Sequence, residues 1–152
     1  MIAKTFLGLL TALSLSVFAG SWNYNINSGL GIYVPEGWGP SQDGRATTVT
    51  GPVKDTAQSR IFLGSDWITG IHSLKDLNVY LQKKFGSNLT PAKVSALDGF
   101  RHGSDTGGEF YVFREDENVI LIEYAIRGSA GQRSEAKTML DSVDIRTGGI
   151  GN

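Results

Sequence analysis

The chain has 152 residues, with 14 Lys and Arg against 15 Asp and Glu for a formal charge of −1, and no cysteine. Charges of both signs are interspersed along it, so no basic stripe is present to draw in nucleic acid or anionic lipid. Without cysteine there is neither a disulfide framework nor a lipid-modified N-terminal Cys, and stability must come from an ordinary hydrophobic core.

The first nineteen residues carry one cation, Lys4, then an uncharged apolar run from Thr5 to Phe18, closed by the small-x-small site Val17-Phe18-Ala19. This is the pattern of a secretory signal peptide, and the run is shorter than the roughly 20 residues needed to cross a bilayer. The expectation is export to the periplasm or beyond, cleavage near Ala19-Gly20, no stable membrane insertion, and a single domain over residues 20–152 with its core at about 28–145.

Twenty glycines fall between short apolar segments, which points to many strands and turns. In "GLGIYVPEGWG" the alternation puts Leu30, Ile32 and Val34 on one strand face, and Pro35 marks the exit. "RATTVTGP" and "SRIFLGSDWITGI" read as further strands between Gly and Pro breakers. The period changes in "SLKDLNVYLQKKFG", where Leu74, Leu77, Leu81 and Phe85 take helical spacing between a capping box at Ser73 and Asp76 and a C-terminal Gly86.

Four strand-like runs follow, "AKVSALDG", "FRHGSDTG", "GEFYVFRE" and "NVILIEYAIRG". The last is apolar on both faces, as a central strand must be. A charged hairpin loop, Glu115-Asp116-Glu117-Asn118, joins it to its predecessor. Ser129 and Gln132 offer a second capping box, ahead of Ala136, Met139, Leu140 and Val143 at helical spacing. The order of elements predicts an α+β fold, a central antiparallel sheet flanked by helices.

The "IYVPEGW" strand and turn, "GIHSLKDLNVYLQ" entering the first helix, the paired strands "GGEFYVFREDENVILIEYAI" and the closing "MLDSVDI" together resemble the PsbP-like superfamily, which includes Mog-type Ran-binding proteins and DcrB-like bacterial envelope proteins. The resemblance implies an α/β/α sandwich, a lack of catalytic activity, and service as an accessory subunit, binding module or adaptor. Only the structural turn Pro35-Glu36-Gly37-Trp38 carries over.

The chemical motifs are sparse. Asp105-Thr106-Gly107 matches the aspartic-protease triplet, yet it follows Gly103-Ser104 where two apolar residues would seat such a loop, so a Gly-rich turn is the expectation. His72 and His102 are the only histidines, and neither has a nucleophile on an elbow or a metal-ligand spacing, so no metal and no cofactor are expected. Asp116 to Asn118 lacks the spaced oxygens and glycine of a calcium loop.

Trp22, Trp38 and Trp67 all lie beside breakers, where interface anchors are found. Asp66 with Trp67, Arg101 with His102, and Trp38 are the candidate binding residues, because loops on a rigid sheet carry function. The expected role is that of an exported, non-catalytic accessory protein acting through an envelope or secreted protein partner, as adaptor or immunity-type inhibitor. The alternatives are a small-molecule or lipid-binding domain with a cleft between the sheet and the first helix, and a hydrolase using His102 and Asp105.

Overall fold

Alternation along Asn118–Ala125 organises the molecule. In the computed structural model, which describes residues 20–52 and 58–145, this strand (β9) is the middle one of a seven-stranded antiparallel sheet. The others are β3 (Gly39–Asp43), β4 (Ala46–Thr50), β5 (Arg60–Asp66), β6 (Leu89–Val94), β7 (Leu97–Gly103) and β8 (Gly107–Arg114), in the order β3-β4-β5-β9-β8-β7-β6. A second antiparallel sheet has the order β1-β2-β10, from β1 (Gly20–Asn25), β2 (Leu30–Pro35) and β10 (Asp144–Ile145). Two helices complete the described residues, α1 (Leu74–Phe85) and α2 (Ala130–Asp141).

This arrangement overturns the helix-flanked α/β/α sandwich. Half of the described residues are strand and a fifth are helix, in two antiparallel sheets. The face of the large sheet bearing Ile120, Ile122 and Tyr124 packs not on a helical layer but on Leu30, Ile32 and Val34 of β2 together with Ala136 and Met139 of α2. The small sheet escaped the sequence reading because β1 alternates polar residues with exposed aromatics and β10 is two residues long. The exposed β3 has no apolar residue to mark it either. The opposite face, with Tyr111, Val119 and Leu121, is covered by Leu77 and Leu81 of α1.

Buried amides stitch these layers. Asn25, fully buried, donates through Nδ2 to the carbonyls of Gly44 (3.1 Å) and Ala46 (3.2 Å), and its Oδ1 accepts from the N–H of Asn27 (3.0 Å) and Ser28 (3.2 Å). It thereby fixes the β1–β2 turn against the β3–β4 turn. The expected single strand "AKVSALDG" is instead the end of β6, a tight turn at Ser95-Ala96 and the start of β7, with Val94 opposite Leu97 and Ser95 at φ 55. Residues 1–19, read as the signal peptide, lie outside the described residues, as does the C-terminal "TGGIGN". Among the described residues no helix is long and apolar enough to cross a membrane.

Helix α1 starts as its residues predict: Ser73 Oγ accepts from the Asp76 N–H (3.1 Å), and Gly86 at φ 71 closes the helix with its N–H on the Gln82 carbonyl (2.8 Å). The Asp76 carboxylate reaches one residue further than a capping box, to the His72 N–H (3.0 Å). That bond, with help from Ser73, lowers the Asp76 pKa below the usual carboxylate value. A depressed folded pKa contributes stability that is complete above the unfolded value and lost as pH falls through the folded one. The protection of the His72 amide, its exchange rate taken relative to the intrinsic rate at each pH, is therefore expected to fall on acidification below about pH 4, and Asp76→Asn is expected to remove that pH dependence.

Candidate functional site

Strand β7 sends adjacent residues to opposite faces of the sheet, so Arg101 and His102 serve two different surfaces. Arg101 lies on the α2 side, where its Nη1 pairs with Asp105 Oδ1 at 2.9 Å. His102 lies on the α1 side, stacked on Phe85 with ring centroids 3.9 Å apart. Asp105 sits in the turn from β7 to β8, exposed and on the Arg101 side. The Asp-Thr-Gly triplet is thus a hairpin turn, and a Cβ at Gly103 would collide with the Gly107 carbonyl across it. His102 and Asp105 do not converge, which removes the hydrolase pair.

Between α2 and the sheet lies a cleft of about 460 Å³, within the range of small-ligand sites, about 300–1,000 Å³. Its apolar surface comes from Phe110 and Tyr124, neighbours on β8 and β9 with centroids 5.5 Å apart, from Ile126, and from Leu140 on α2. The Tyr124 hydroxyl is occupied, donating to the Ser104 carbonyl at 2.6 Å. Burial raises its pKa; Arg101 opposes that rise and Asp105 adds to it. The phenol stays neutral at physiological pH.

The rim is charged. Arg133, Lys137 and Asp141 line the cleft at four-residue spacing along α2, and Lys137 Nζ donates to Asp141 Oδ2 at 2.9 Å. That hydrogen bond raises the Lys137 pKa. Hydroxyls of Thr106 and Ser134 and the carboxylates of Asp105 and Asp141 complete the polar lining. The cleft thus has an apolar floor and cations at its mouth.

The α1 side has a second, more open concavity of about 400 Å³ lined by Arg60, Phe62, His102, Glu109 and Glu123. Glu109 and Glu123 are directly opposite on β8 and β9. The Tyr111 phenol donates to Glu109 and accepts from Lys84 Nζ at 3.3 Å. Burial first, and the Glu109 hydrogen bond second, push the Tyr111 pKa strongly upward, so it remains a donor. Among the described residues no three His, Asp or Glu side chains are grouped to hold a metal ion. Leu77 and Leu81 close the middle of the first helix onto the sheet, and at its start a smaller concavity of about 270 Å³ lies between Leu74 and the strands, against Pro91, Lys93, Asp98 and Phe100.

Of the candidate binding residues, Arg101 alone reaches the α2 cleft. Trp38 is buried at 6% exposure and donates its indole N–H to Glu135 Oε2 at 2.5 Å, so it clasps α2 to the β2–β3 turn and presents no docking face. Asp66 and Trp67 are exposed at the far end of β5, level with Val119, and the Trp67 ring meets His72 edge-on at 6.5 Å. Three strand spacings, about 14 Å, and three residues along the strands, about 10 Å, separate Asp66 from Arg101, so the four residues do not form one patch. Sequence reasoning missed Arg133 and Lys137, although their spacing on a predicted helix was the available signal.

No family model and no curated protein matches the chain. A crystal structure of a protein from Bacteroides thetaiotaomicron is similar to it, with a TM-score of 0.51 and 17% sequence identity over 85% of this chain and 49% of that one. The chain thus spans about half the length of that solved structure, and the likeness is one of fold alone.

Proposed function

We propose that this is an exported, non-catalytic binding domain that holds a small amphipathic molecule in the cleft between α2 and the large sheet. One observation carries the reading: a cleft of about 460 Å³ with an apolar floor and a charged rim, on the side of the molecule where α2 stands off the strands. Export rests on the N-terminal pattern of residues 1–19. The test is native mass spectrometry of the chain purified from its own organism, beside a Ser134→Trp form in which an indole fills the cleft from an exposed helix position. A small-molecule adduct on the natural chain that is missing from the variant is the expected result. Equal adducts on both, or none on either, would refute the cleft as the site.

The protein-partner reading retains one observation in its favour. Trp22 and Trp67 are 63% and 60% exposed, more than a core-edge role requires. Cross-linking of the chain in envelope extracts, compared with Trp67→Ala, tests it through loss of a single captured protein.

A further inference from the structure

Resting on the ligand-binding reading above, we propose that the occupant of the α2 cleft is a monoanion with an aliphatic tail, a medium-chain carboxylate, its charge directed to Arg133 and its chain to Phe110 and Ile126. The argument begins with a helix whose charges work against its own stability. Helix α2 has no acidic residue in its first turn and no basic residue in its last. Arg133 instead stands near the positive end of the helix dipole, and Asp141 closes the negative end. Arg133 and Lys137 also face each other at i, i+4, a repulsive spacing for like charges. All three line the cleft, so the arrangement that weakens the helix concentrates positive potential at the mouth of an apolar slot.

The count of charges sets the valence. Arg101 is matched by Asp105 and Lys137 by Asp141, each at 2.9 Å. Arg133 has no carboxylate partner among the described residues, and the nearby Glu135 is engaged by Trp38. One positive charge remains over, which a monoanion neutralises. A dianionic phosphate would leave one negative charge uncompensated beside Asp105 and Asp141. A planar carboxylate also suits the fork of an arginine, which binds it with two parallel N–H donors.

The experiment titrates the purified chain by calorimetry with decanoate, decanol and decyltrimethylammonium, each below its aggregation concentration, and repeats the series on Arg133→Gln, a substitution at an exposed position. Decanoate is expected to bind about tenfold or more tightly than decanol, with the ammonium weakest, and the variant is expected to lose about that factor for decanoate alone. Equal binding of all three tails would leave the apolar cleft standing and overturn the anion selectivity, as would decanoate affinity that survives Arg133→Gln. Binding of none would overturn both this proposal and the functional reading beneath it.

Discussion

Replacing Asn118 by alanine is expected to lower the unfolding free energy by about 3 kcal/mol, measured by urea denaturation. Asn118 is 1% exposed at the start of β9, and its Nδ2 donates to the carbonyls of Ile68 (2.6 Å) and Ile71 (3.4 Å) while its Oδ1 accepts from the Ile68 N–H (2.9 Å). One side chain thus satisfies the backbone that links β5 to α1, and alanine would leave those partly buried groups without partners. Its φ of 39 adds a second cost, because asparagine tolerates the left-handed region and alanine does not. Asn118→Gly separates the two: it relieves the backbone and not the hydrogen bonds, so it is expected to recover about 1 kcal/mol of the loss. Equal stabilities for the two variants would show that the backbone conformation contributes nothing. Unchanged stability in both would remove the amide as the link between the β8–β9 hairpin and the first helix.

The same residue shows what a sequence can and cannot convey. In the string "DEN" it reads as a loop polar group, and only the position of Ile68, fifty residues earlier, makes it a buried connector. Local signals were legible where they were sufficient. Ser73, Gly86 and the leucine spacing define α1, and the two apolar faces of "NVILIEYAI" place β9 at the centre of its sheet. Elements whose identity depends on distant pairing were not. Gly20–Asn25 becomes a strand because Trp22 lies opposite Tyr33 in β2, and its aromatics stay on the surface, so no buried stripe announces it.

Trp38 was misjudged for a related reason. Its neighbouring Pro and Gly suggest exposure, but its indole N–H finds a carboxylate 97 residues away on α2. The cleft was hidden at the level of layers. Phe110, Tyr124 and Ile126 carry the pattern of ordinary core, and they line a cavity only because α2 stands off this part of the sheet. No periodicity in one segment encodes that separation.

Leu81→Ala is expected to cost about 2–5 kcal/mol, against less than about 0.5 kcal/mol for Val79→Ala two residues earlier. Leu81 is completely buried and Val79 is 47% exposed, so the pair compares a core and a surface truncation on one helix. At twelve residues α1 is too short to be stable by itself and depends on its apolar stripe. Shortening Leu81 opens a void over Tyr111 and Val119, with α1 on one side and the sheet backbone on the other, and neither wall can collapse far. The void lies on the face of the large sheet opposite the α2 cleft, with β8 and β9 between them. Folded Leu81→Ala protein is therefore expected to bind a cleft ligand with unchanged affinity. Met139→Ala, equally buried but on α2, is expected to lose a similar amount of stability and to weaken binding as well, because it loosens the helix that carries Arg133 and Lys137. Urea unfolding and calorimetric titration of both variants decide the matter. Loss of binding in Leu81→Ala would mean that the two faces communicate through the sheet, and the cleft would then have to be treated as part of one mechanical unit with the first helix.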